Sequence, residues 1–68
     1  MNGTISLKAA RVDAELSQAA VAKHVGVSER TISKWETGTT HPNAVQLVNL
    51  CELYNRSLDD IRLPKNSD

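Results

Sequence analysis

The chain has 68 residues, room for one domain near the lower size limit for folding without disulfides, metals or a partner chain, so dimerisation is expected from the outset. Eight Lys plus Arg balance eight Asp plus Glu, which argues against indiscriminate attraction to nucleic acid. However, Asp59, Asp60 and Asp68 fall in the last ten residues and leave the remainder mildly basic. Aromatics are limited to Trp35 and Tyr54, so the core must come from Val, Leu, Ile and Ala. A lone cysteine, Cys51, forms no internal disulfide, and the N-terminus lacks the sections of a signal peptide, which together imply a reducing, cytoplasmic setting. No apolar run reaches the roughly 20 residues of a membrane span.

No segment alternates with period two between hairpin turns, so strands are set aside and an all-α architecture is expected. Residues 1–5 read as a flexible lead-in, steadied in part by Ile5. Ser6 caps a first helix in which Leu7, Ala10, Arg11 and Ala14 share the inner side, so Arg11 needs a partner. Ser17 caps a second helix, with Ala20, Val21 and Val25 inward and Lys23 and His24 outward, and Gly26 ends it. Ser28 caps a third helix almost at once, which forces a sharp corner. Here Ile32, Trp35 and Glu36 point inward, while Glu29, Arg30, Ser33, Lys34 and Thr37 form a polar outer side.

Gly38 closes that helix, and Thr39 to Pro42 form a loop. Asn43 with Gln46 makes a capping box for a fourth helix carrying Leu47, Leu50, Cys51 and Tyr54 at core spacing, and Asn55 suits a left-handed C-cap. Ser57 with Asp60 starts a short fifth helix whose apolar positions are Leu58 and Ile61. The domain thus runs over 6–63, with a flexible tail at 64–68.

Cap, helix, glycine, short turn, cap and a helix with a polar outer face form a corner suited to duplex DNA. Its second member fits a major groove of ~12 Å width, where Arg30 offers paired donors to guanine, Lys34 reaches acceptors one turn later, and Glu29 accepts from cytosine. Ser17 and Gln18, at the start of the second helix, suit a phosphate oxygen. Cys51 reads as a small buried hydrophobe, His24 and His41 lack companions for a metal site, and Asp59-Asp60 reads as helix-start electrostatics rather than acid–base catalysis. An enzyme is excluded for want of paired catalytic groups, and no cofactor, metal, membrane or small-molecule ligand is expected.

Leu16-Ser17-Gln18, Val21-Ala22, Gly26-Val27-Ser28, Ile32-Ser33, Trp35-Glu36, Gly38 and Pro42 stand in the order and spacing of phage repressors. The chain resembles the Cro/C1-type, or xenobiotic-response-element-type, helix-turn-helix family from Leu7 to Leu63, through Leu47, Leu50, Cys51, Tyr54, Ser57, Leu58, Asp59 and Ile61. That resemblance implies a compact five-helix, lambda-repressor-like domain, encoded by a bacterium or phage, that represses by binding a pseudo-palindromic operator as a homodimer. By position it implies base contacts from Glu29, Arg30, Lys34 and Ser33, and phosphate contacts from Ser17, Gln18, Thr37, Thr39, Thr40 and His41. It also implies an ion pair between Arg11 and Glu36. Position near the loop through which many family members dimerise makes Arg56 and Leu58 the expected dimer residues, and the chain departs from the family there, with Tyr54 where leucine is usual and Arg56 where valine is usual. The chain ends soon after the fifth helix, consistent with a stand-alone regulator. An interaction module, antitoxin-like or anti-repressor, that kept the fold without reading an operator is the alternative.

Overall fold

The computed structural model describes residues 3–64; the tail expected at 64–68 therefore lies, apart from Pro64, outside the described residues, as do the first two residues of the lead-in. The elements in chain order are β1 (Ile5–Ser6), α1 (Leu7–Asp13), α2 (Gln18–Val25), α3 (Glu29–Thr37), α4 (Ala44–Tyr54), a single 3-10 turn (Leu58–Asp60) and β2 (Ile61–Arg62).

Each α-helix begins where a short polar side chain replaces a missing intrahelical partner. Ser6, Ser17, Ser28 and Asn43 accept hydrogen bonds from the backbone N–H groups of Ala9, Ala20, Thr31 and Gln46, at 2.8–3.1 Å. Such caps are worth about 1 kcal/mol each. At Asn43 the Gln46 carboxamide returns the bond to the cap's own N–H at 2.9 Å, completing the capping box. Left-handed residues stop three of the helices: Gly26 at φ 86°, Gly38 at φ 85° and Asn55 at φ 57°.

The core gathers one stripe from each helix. Leu7 and Ala10 of α1, Val21 and Ala22 of α2, Ile32 and Trp35 of α3, and Leu50, Cys51 and Tyr54 of α4 are all buried. Ile5, Leu16, Val25, Leu47, Leu53 and Ile61 are among the half-buried residues packed against this centre. α2 rests chiefly on α3 and also touches α4, so the sharp corner is backed by the rest of the fold.

Three expectations need correction. The fifth helix is the one 3-10 turn, in which the Asp60 carboxylate accepts from the Ser57 N–H at 3.3 Å; the chain then leaves in extended conformation at Ile61. Of the two apolar residues expected there, Leu58 is 50 % exposed and Ile61 packs inward. The domain is not purely helical: β1 and β2 pair in parallel, Ile5 with Ile61 and Ser6 with Arg62, so Ile5 belongs to the folded body. Arg62 Nη1 adds long bonds to the Thr4 carbonyl and hydroxyl at 3.3 and 3.4 Å. Finally, Ala22 rather than Ala20 faces the core, Ala20 being exposed.

Candidate nucleic-acid interface

α3 is anchored by its inner side and free on its outer one. Ile32 and Trp35 are buried to within a few per cent, and Arg30, Glu29 and Thr37 are exposed, with Ser33 and Lys34 half-buried at the margin. The residues singled out for base contact thus lie along one side of one helix, with Arg30 and Lys34 a turn apart. Glu29, in the first turn, suits the positive end of the helix. Its carboxylate and the cations Arg30 and Lys34 leave the outer side with a small excess of positive charge.

Glu36 behaves differently from the rest of α3. Its side chain is only 4 % exposed and receives Arg11 Nε at 2.6 Å and Arg11 Nη2 at 3.2 Å, a two-pronged ion pair across 25 residues of sequence. The remaining prong of the guanidinium, Nη1, donates to the Leu16 carbonyl at 2.9 Å. Arg11 is held more firmly protonated than an ordinary arginine, first by this hydrogen bond to Glu36 and then by its charge, against the opposing effect of burial. Tyr54 lies within the influence of the same pair: burial, and secondarily the Glu36 charge, push its phenol up to about 12.

Gln18 joins this group. Its Nε2 donates to Glu36 Oε1 at 2.9 Å, which brings the start of α2 against the last turn of α3. Sequence reasoning assigned Gln18 to phosphate alone and missed this bond, although Gln18 precedes Val21, Ala22 and Val25 by three, four and seven residues and so shares their inner side. The second Nε2 proton and the amide oxygen remain. Ser17, exposed beside it, uses its hydroxyl oxygen to cap α2 and keeps its own proton to donate.

Past α3 the chain folds back on a carbonyl. The N–H groups of Gly38, Thr39 and Thr40 all approach the Lys34 oxygen, and the Thr37 hydroxyl donates to it at 3.2 Å while lying 3.0 Å from that of Thr39. Thr39, Thr40 and His41 are exposed. Because Gln18 touches Glu36, the hydroxyl-rich segment from Thr37 and the start of α2 meet at the same end of α3. Uncharged polar groups therefore cluster beside the helix that carries Arg30 and Lys34.

Arg56 and Leu58 sit elsewhere, on the loop and turn after α4. Arg56 Nη2 pairs with Asp13 Oδ2 of its own chain at 2.7 Å, and Leu58 is half exposed with no core role. Asp13 and Arg56 are 43 residues apart, and no local pattern announces their meeting. Among the described residues no three His, Cys, Asp or Glu side chains converge as a metal site, and no helix is long and apolar enough to cross a membrane.

No curated protein matches the chain. The helix-turn-helix family model matches residues 7–61, from the first turn of α1 to the start of β2, and so takes in every helix described above. With the corner between α2 and α3 inside that span, the chain belongs to the Cro/C1-type helix-turn-helix family of DNA-binding regulators.

Proposed function

We propose that the protein is a sequence-specific transcriptional repressor that binds a pseudo-palindromic operator in double-stranded DNA as a homodimer, in the cytoplasm of a bacterium and encoded there or by a phage. The observation that carries this reading is the exposed polar side of α3, bearing Glu29, Arg30, Ser33 and Lys34 on a helix pinned from behind by Ile32 and Trp35. In the major groove Arg30 reads guanine through two parallel bonds, Lys34 reaches acceptors one turn on, Glu29 accepts from a cytosine amino group, and Ser33 adds a short contact. Ser17, Gln18, Thr37, Thr39, Thr40 and His41 contact phosphates and fix register without reading sequence. The dimer forms around Arg56 and Leu58, where an apolar side chain stands half exposed beside a charge pair.

Mobility shift against fragments from the protein's own locus tests this reading. Retardation of a promoter fragment at low salt supports it, and no retardation of any fragment at micromolar protein contradicts it. The formal net charge of zero favours one alternative, an interaction module of antitoxin or anti-repressor type that has given up operator reading. Capture of a neighbouring gene product together with absent DNA affinity would select that alternative.

A further inference from the structure

We propose that Glu36 is a positioning residue for DNA recognition: held by Arg11, it grips Gln18 and so braces the open side of the corner between α2 and α3. The inference rests on the DNA-binding reading above and deepens it. At one end the two helices are joined by the chain itself, through Gly26, Val27 and Ser28. At the other end covalent structure places no limit on their separation, and the angle between them must be set by side chains. That is where Gln18, the first residue of α2, donates to Glu36 in the last turn of α3 at 2.9 Å.

Three features make this contact a brace rather than an incidental surface bond. The accepting carboxylate is 4 % exposed, so little water competes for it. Arg11 fixes both of its oxygens, at 2.6 and 3.2 Å, so the carboxylate cannot turn away from Gln18. The same guanidinium donates to the Leu16 carbonyl at 2.9 Å, next to the residue that caps α2, so the entry into α2 is held by the group that holds Glu36. The bonds from Arg11 and Gln18 close a loop through α1, α2 and α3. Its consequence is geometric: the distance from the phosphate-side end of α2 to Arg30 and Lys34 is fixed before DNA arrives. Glu36 itself need touch no nucleotide. One proton of the Gln18 amide is committed to Glu36, which orients the other.

The variants Gln18→Met, which keeps length and removes the bond, Glu36→Gln, and the two combined test the proposal in the full chain. Their dissociation constants are measured on a selected operator and on random duplex, beside thermal melts and exchange of the Gln18 side-chain amide protons in the free protein. Each single change is expected to lower the ratio of operator to random-duplex affinity by about threefold or more, because the corner's angle governs alignment with bases more than attraction to phosphate; Gln18→Met also weakens both duplexes evenly through the phosphate contact it removes. The combined variant is expected to be no weaker than the worse single one, since both remove the same brace. Losses that multiply, or losses equal on the two duplexes, overturn the proposal, as does unchanged operator affinity in a folded variant. Should Glu36→Gln unfold, Gln18→Met leaves the ion pair intact and decides the matter by its operator-to-random ratio alone. A slowly exchanging Gln18 amide in the wild type, lost in Glu36→Gln, supports the brace, and a freely exchanging one refutes it. If the wild type binds no duplex while the amide stays protected, the DNA-binding reading fails and the brace stands.

Discussion

Arg11 and Glu36 meet at 2.6 Å with the Glu36 carboxylate almost wholly withdrawn from water, so each exists as a buried charge only because the other is there. Removing one partner strands the other. Glu36→Ala is expected to lower unfolding free energy by about 3–5 kcal/mol, whereas replacing both residues by apolar groups of similar size costs far less. Urea titrations of the two variants check this; equal losses in the single and double replacements would contradict it.

Tyr54 makes the fold sensitive to alkali. Its phenol is pushed up to about 12 in the native state, against an ordinary value near 10, so the unfolded chain loses its proton first as pH rises. Below the ordinary value both states are neutral and nothing changes; between about 10 and 12 stability falls, by at most about 2 kcal/mol from this group after allowance for solvent screening. Thermal melts from pH 9 to pH 12 should show that decline, and Tyr54→Phe should remove this part of it.

Left-handed backbone gives two opposite expectations. Glu15 adopts φ 61°, a conformation that costs a side chain with a β-carbon, so Glu15→Gly should raise stability by about 0.5–1 kcal/mol. Gly26 adopts φ 86° with open space around it, so Gly26→Ala meets no clash yet should lose about 1–2 kcal/mol from backbone strain alone. Denaturant midpoints of both variants test the signs.

Cys51 should report global opening. It is buried in α4, and desolvation, with a smaller effect of Asp60, raises its thiol above the usual value, so reactive thiolate is scarce in the folded protein. Alkylation by a neutral thiol reagent is expected to follow the unfolding equilibrium, accelerating with urea in step with it. Fast labelling in native buffer would contradict the burial.

The parts of this molecule legible in its sequence are the local ones. Ser6, Ser17, Ser28 and Asn43 act on N–H groups three residues ahead, so their capping roles follow from adjacent letters, as do the stops at Gly26, Gly38 and Asn55. The outer side of α3 was readable because Ile32 and Trp35 mark its inner side clearly. In α2 the run Ala19-Ala20-Val21-Ala22 blurs the period, since small apolar residues fill four successive positions, and nothing local tells the exposed Ala20 from the buried Ala22. Non-local features left no local mark. Strands of two residues are too short to show alternation, and Ile5 finds Ile61 only once the whole chain has folded. The apolar Leu58 and Ile61 suggested a helix that the extended backbone at Ile61 does not continue. Asp13 with Arg56 and Gln18 with Glu36 are likewise encounters made by tertiary structure.

The reading of α3 as the recognition element is tested most directly by selecting bound sites from a random duplex library with the wild type and with Arg30→Ala. A palindromic consensus is expected for the wild type, and for Arg30→Ala the same palindrome with preference relaxed at one base pair per half-site, a loss of about 1–3 kcal/mol there. No enriched sequence from the wild type, or an unchanged consensus and affinity without the arginine, would contradict it.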